Sequence, residues 1–424
     1  MFAYPLRLLY CICLLLFIST THAQVIVNNG KTNPHINYER LKRIDKLINE
    51  YVDKQWLAGA VTLIVKDGQV VQSAGYGYND IAAKTPLKPD HIFRIASQTK
   101  AITSIALMML YEEGKFMLYD PVSKFIPEFK NPVVLDKFNE QDTTYTTIPA
   151  KREVTIKDLL THTSGLDYAS IGSKNMRAIY AKYGISSGIG ELHASLADKM
   201  KTLAKLPLAN QPGEKFTYSL STDMCGYLVE LLSGMTLDEF LQKRLFAPLG
   251  MKDTYFNIPP EKHKRLAILN TEDSLGHLIK WPTDQRGISP DYPNIGTHYF
   301  SGGAGLSSTA MDYAIFLQML LNKGTYNGVE ILAPRTVEMI LQNQLGDLSI
   351  GKNKFGLGFE IVTAKGAADE PRNEGSFAWG GYFGTNYWAD PKENMVCLIL
   401  TQQTPNSHGD VAAKFTSLVY QSLK

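Results

Sequence analysis

Strand-type patterning in this chain lies at its two ends, with a long helical and loop-rich stretch between them, and that placement limits the folds open to it. The runs 60–65 and 70–76 flank Lys66-Asp67-Gly68, and β-branched runs about a turn signal predict a hairpin. Strand character returns only at 355–362, 376–389 and 393–401. Helical periodicity marks 155–162, 189–204, 221–233, 236–243, 309–322 and 334–342. Further helices are expected at 37–52, where Leu41, Ile44, Leu47, Ile48 and Tyr51 recur with helical spacing, and at 411–423. Strands at both ends with helices inserted predict an α+β unit, in which one antiparallel sheet is assembled from both termini and flanked by helices. We expect a mixed lobe from about 24–96 and 355–424, and an all-α lobe from about 97–354.

Composition narrows the function classes. The chain has 424 residues, 44% hydrophobic and 20% charged, as soluble globular proteins do. A net charge of +2 gives no basis for nucleic-acid binding or an anionic membrane surface. Residues 1–7 are cationic, 8–18 are almost unbroken apolar, and Thr21-His22-Ala23 offers a small-x-small cleavage site before Gln24. That pattern predicts a secretory signal peptide over 1–23 and an exported, periplasmic or secreted protein, with no stable membrane anchor once the signal is cleaved. The mature chain would keep only Cys225 and Cys397, expected as buried free thiols. No His-Glu-x-x-His and no paired Cys-x-x-Cys occurs, so neither metal nor cofactor is expected.

The chemistry-bearing stretch is Phe93-Arg94-Ile95-Ala96-Ser97-Gln98-Thr99-Lys100, which runs into the apolar helix pattern Ala101, Ile102, Ile105, Ala106, Met109, Leu110. Residues three apart share a helical face. Lys100 would therefore stand one turn from the Ser97 hydroxyl, a weak nucleophile that needs a base or cation beside it. The plain alternative is a helix N-cap. A second copy of the pattern, Ser349-Ile350-Gly351-Lys352, sits in a polar, glycine-containing run and reads as a surface loop, so the four residues alone do not make a site.

Two distant segments complete the candidate site. In Gln211-Pro212-Gly213-Glu214-Lys215-Phe216-Thr217-Tyr218-Ser219-Leu220-Ser221, Tyr218 falls at a strand-to-helix switch. A positive charge favours an ionised phenol, which makes Tyr218 the candidate general base; the alternative is a core aromatic. Trp379-Gly380-Gly381-Tyr382 lies in a strand pattern, where paired glycines mark close approach of a backbone or ligand, or a bulge. A backbone N–H there, paired with that of Ser97, would form an oxyanion hole.

With these residues in hand, the chain resembles the serine β-lactamase-like family: class C β-lactamases, D-alanyl-D-alanine peptidases and family VIII esterases. Asp158-Leu159-Leu160-Thr161-His162-Thr163-Ser164-Gly165-Leu166, Pro248-Leu249-Gly250-Met251 and Ser301-Gly302-Gly303-Ala304-Gly305-Leu306-Ser307-Ser308 occur in the family's order. The resemblance implies a β-lactamase/transpeptidase-like fold, with 24–424 as one catalytic domain. It also implies Ser97 as the acylated serine, Lys100 as its partner and Tyr218 as base, with oxyanion N–H groups from Ser97 and Tyr382. Two departures mark the pocket formed by Trp379, Gly380, Gly381 and Leu220. Leu220 replaces the family's asparagine, and Trp379 replaces the strand lysine that would hold a substrate carboxylate. The expected activity is hydrolysis of small esters through an acyl-enzyme. The rivals are a D-amino-acid peptidase or β-lactamase acting on amides, and a non-catalytic binding module. His162 lacks a Gly-x-Ser-x-Gly partner and reads as structural. Trp281, Tyr292, Tyr299 and Phe300 are expected either to shape the pocket or to pack a surface loop.

Overall fold

The computed structural model describes residues 24–282 and 288–424, so the signal-peptide reading of 1–23 lies outside it. Asn37 caps helix α1 (Tyr38–Asp53) by accepting from Arg40 N, and α1 buries Leu41, Ile44, Ile48 and Tyr51 on one face. Strands β1 (Gly59–Lys66) and β2 (Gln69–Asp80) form the expected hairpin. Asp67 and Gly68 turn it at positive φ, the conformation that tight hairpin turns demand. With β3 (Thr85–Pro86), β4 (Lys354–Phe355), β5 (Glu360–Ile361), β6 (Phe377–Gly381), β7 (Thr385–Asp390) and β8 (Met395–Leu400) they make one antiparallel sheet. Its order is β4-β5-β6-β7-β8-β1-β2-β3. The two termini meet where β1 pairs with β8, from Val61↔Leu400 to Lys66↔Met395.

This central pair is buried on both faces, and side-chain alternation sorts its residues. Val61, Leu63, Val65, Val396, Leu398 and Leu400 join the main core. Ala60, Ile64, Met395, Cys397 and Ile399 pack with Ile44 and Ile48 of α1 and with Phe415 and Val419 of the C-terminal helix. A one-residue slip of β1 would exchange the two sets, so register is strongly specified. Cys225 and Cys397 are free and buried, and they belong to different clusters, which keeps the thiols apart.

Helix α2 (Thr99–Glu112) is buried from Thr99 to Leu110, and it forms the axis of the helical lobe. It packs on α3 (Ser221–Ser233). The stretch expected as an all-α lobe over about 97–354 is not all-α: Asn270–Glu272 pairs with Leu278–Lys280, Thr325–Tyr326 pairs with Val329–Glu330, and its elements differ from the sequence reading elsewhere too. The 189–204 pattern becomes a helix only from Leu196, where Ser195 caps it. Lys174–Lys182 is an additional helix, and Val133–Phe138 pairs with Tyr145–Pro149 as a hairpin. Helix α4 (Ala310–Leu321) lies against the sheet, with Tyr313 packed on Tyr387 of β7. Its Tyr313 hydroxyl donates to the Gln98 carbonyl at 2.8 Å, tying the sheet layer to the turn that carries Ser97. Helix α5 (Val411–Gln421) closes the chain beside α1.

Candidate active site

Ser97 sits in a short 3-10 turn, Ala96–Gln98, immediately before α2. Ala96 holds φ at 42°, a left-handed conformation that costs a non-glycine residue about 1–2 kcal/mol. It persists because Ala96 is enclosed by Leu269, Trp281 and Phe383. Ala96 and Gln98 are buried, while Ser97 is partly open. One turn on, Lys100 Nζ lies 3.5 Å from Ser97 Oγ, 3.3 Å from the Tyr168 hydroxyl and 2.8 Å from the Gly303 carbonyl oxygen. Burial disfavours the ammonium, but the Tyr168 and Tyr218 phenols and the Asp223 carboxylate outweigh it and hold Lys100 above the ordinary lysine value.

Tyr218 comes from the segment entering α3, and its ring lies 4.6 Å from Lys100 Nζ. It stacks on Tyr168 with centroids 5.6 Å apart. The Trp379 indole Nε1–H donates to the Tyr218 oxygen at 3.4 Å. Ammonium and indole thus face one phenol, an arrangement able to take a proton from a neighbouring hydroxyl and accommodate the resulting charge. His162 is not part of this group. Its Nδ1 lies 3.1 Å from Ser219 Oγ, and its ring is enclosed by Phe216, Tyr218 and Phe355. Burial and then the Lys100 charge push its pKa well down, so it is neutral. The second Ser-x-x-Lys copy is an exposed loop whose Lys352 pairs with Asp369.

Strand β6 supplies the facing wall. Its partner β5 reaches only Phe377 and Ala378, which leaves 379–381 as an open edge. Gly381 is required by packing: a Cβ there would stand 3.2 Å from the Ile95 carbonyl carbon and closer still to its oxygen. The cavity at this edge has a volume of about 740 Å³, and Ser97, Tyr218, Trp379, Gly380, Tyr382 and Ile171 are among its lining residues. Leu220 is not. Its side chain is wholly buried in the main core, since an apolar residue entering α3 gains by turning inward. Gly381 likewise packs on the turn behind the cavity. Trp281 packs with Ala96, Leu269 and Phe383, Tyr292 faces Arg94, Tyr299 joins the main core and Phe300 lies against Phe256; none of the four is among the cavity's lining residues.

Sequence reasoning missed Tyr168, the Gly303 carbonyl and Asp223. Tyr168 falls two residues beyond the Thr-His-Thr-Ser-Gly-Leu motif, and Gly303 lies inside the quoted Ser-Gly-Gly-Ala-Gly segment, so both signals stood beside motifs already in view.

The sheet covered by terminal helices, beside a helical lobe and with the open cavity next to Ser97, constitutes a β-lactamase/transpeptidase-like fold. The Beta-lactamase family model matches residues 44–421, and the chain belongs to that family of serine hydrolases, which includes esterases and peptidases. Protein Rv1367c of Mycobacterium tuberculosis is 34% identical over 384 residues, 86% of this chain and 91% of its own. Esterase EstB of Burkholderia gladioli is 27% identical over 379 residues, 85% of this chain and 89% of its own. The solved structure of EstCE1, described as a hydrolase with promiscuous acyltransferase activity, matches with a TM-score of 0.76 at 25% identity, covering 90% of this chain and 99% of that one. Among the described residues, no helix is long and apolar enough to cross a membrane.

Proposed function

We propose that this protein is an exported serine hydrolase that cleaves small carboxylic esters through a covalent acyl-enzyme on Ser97. The observation that carries this reading is the convergence of Ser97 Oγ, Lys100 Nζ and the Tyr218 phenol at the cavity lined by Trp379. Ser97 Oγ attacks the ester carbonyl carbon while its proton passes to the Tyr218 oxygen, where the developing charge faces Lys100 and the Trp379 N–H. The backbone N–H groups of Ser97 and Tyr382 receive the oxyanion. Collapse breaks the bond to the alkoxide, which leaves with the proton held by Tyr218. Water then attacks the acyl carbon by the same route and releases the acid.

The preference for esters over carboxylate-bearing amides follows from charge. Among the described lining residues Arg372 is the one cation, and Glu370 pairs with it at 2.5 and 2.8 Å, with Glu360 at 3.7 Å. A substrate carboxylate therefore meets no free cation among these described residues and forfeits about 1.5–3 kcal/mol of charge-assisted contact. The cationic and apolar N-terminal run supports export, and a mature chain beginning at Gln24 is the expected result of N-terminal sequencing. EstCE1's described acyl transfer favours a second outcome of the same intermediate, capture by an added alcohol.

A fluorophosphonate probe followed by mass mapping should label Ser97, and no label on folded protein refutes an acyl-enzyme. Ser97→Ala should abolish turnover of short-chain p-nitrophenyl esters, and Tyr218→Phe should cost about 10²–10⁴-fold. Rapid nitrocefin or D-Ala-D-Ala peptide turnover without ester cleavage would assign the site to amides instead.

A further inference from the structure

We infer that Asp223 is a positioning residue that keeps the Lys100 ammonium charged and seated beside Ser97, acting across Gly303 without touching substrate. The inference rests on Ser97, Lys100 and Tyr218 being the reacting group. Lys100 is almost fully buried, yet the acceptors around its Nζ are a carbonyl and hydroxyls, none of which carries a formal charge. A buried charge of this kind needs an opposite one nearby.

Asp223 is wholly buried in the first turn of α3, five residues after Tyr218. Its Oδ1 accepts from Ser301 Oγ at 2.6 Å, and the Gly303 backbone N–H and the Tyr299 hydroxyl also face the carboxyl. The missing side chain of Gly303 marks where the two charges meet. A Cβ there would stand 3.3 Å from Asp223 Cγ and 3.4 Å from Lys100 Nζ. The pair therefore falls in roughly the 4–6 Å range over which opposite charges shift one another's protonation. The same glycine's carbonyl takes the Lys100 hydrogen bond, so one peptide spaces both groups.

The other titratable groups facing this pair are Tyr168, Tyr218, Tyr299, Cys225 and His162. Burial pushes Tyr168, Tyr299 and Cys225 up and His162 down, which leaves those four uncharged near neutrality. Burial also raises Asp223, against the Ser301 hydrogen bond and the Lys100 charge. A permanently protonated Asp223 is thus the rival account, and the test separates the two.

The experiment compares kcat/KM against pH for wild type and Asp223→Asn, with the rate of fluorophosphonate labelling at Ser97 as a second readout. Without the carboxylate, Lys100 loses its proton at lower pH. The alkaline limb of the profile should therefore move to lower pH, by about one unit or more, with KM unchanged. Lys100→Met is the reciprocal variant and does not depend on Asp223→Asn folding. With the ammonium gone, the buried carboxyl holds its proton to higher pH, so this variant's melting temperature should fall more steeply than wild type's between pH 5 and 8. An unmoved alkaline limb in folded Asp223→Asn, or parallel melting curves for Lys100→Met, overturn the inference while leaving the acyl-enzyme reading intact. A wild-type protein that is not labelled at Ser97 overturns both.

Discussion

Gly381→Ala tests how closely strand β6 must approach the turn that carries Ser97. The added methyl would sit 3.2 Å from the Ile95 carbonyl carbon and nearer still to its oxygen, and it would also press on Thr385 Oγ1. Gly381 is not among the positive-φ residues, so alanine suits its backbone and the effect is steric alone. Ile95 N also donates to the Leu306 carbonyl, so the turn is held from its other side and cannot simply move away. Relief requires β6 and the turn to separate by about 1 Å, a displacement able to cost about 10²-fold in rate where reacting groups must align. Overpacking of this kind costs about 1–3 kcal/mol of stability. The expected result is a folded protein with a modestly lowered melting temperature, a roughly hundredfold smaller kcat on p-nitrophenyl acetate and equally slowed fluorophosphonate labelling. Wild-type labelling and turnover in the folded variant would refute the reasoning, because β6 would then not set the geometry at Ser97.

Two further outcomes are expected. Trp379→Phe removes the indole N–H that reaches the Tyr218 oxygen at 3.4 Å while keeping an aromatic wall. A long neutral hydrogen bond is worth about 0.5–1.5 kcal/mol, so kcat on esters should fall about 3–10-fold, and a change confined to KM would argue against a role through Tyr218. Asp312, buried beneath Thr254, is raised to about 6, chiefly by burial. A carboxyl whose folded pKa exceeds its unfolded one stabilises most below about pH 4 and loses that contribution as pH rises to about 6, a change of about 3 kcal/mol. Asp312→Asn should therefore gain stability relative to wild type between pH 4 and 7 in parallel denaturant titrations, and parallel pH curves would count against it.

The sheet was legible because its strands carry short-range signals. The β-branched runs and the Asp67-Gly68 turn act within a few residues, and a strand buried on both faces carries a continuous apolar run. The hairpin Val133–Phe138 with Tyr145–Pro149 was missed because most of its residues are exposed, and an exposed strand pair carries little apolar periodicity. The proximity of Ser97 and Lys100 was legible for a similar reason: a spacing of three at a helix start places both on one face. Leu220 marks where such reasoning stops. Its place in a motif predicted a pocket residue, yet its apolar side chain followed the core.

By itself, then, the sequence determined the residue types, the local turns and the Ser97-Lys100 spacing, since these depend on contacts within one segment. Only the tertiary structure decided which distant groups surround Lys100. Gly303 arrives from 203 residues away and Tyr168 from 68, while Trp379 reaches Tyr218 across 161. Asp223 gains its position from the packing of α3 against α2, with Gly303 between the two charges. No local period encodes such meetings. They follow from how sheet and helical lobe close together, and from the need of a buried ammonium to find acceptors and an opposite charge where those layers meet.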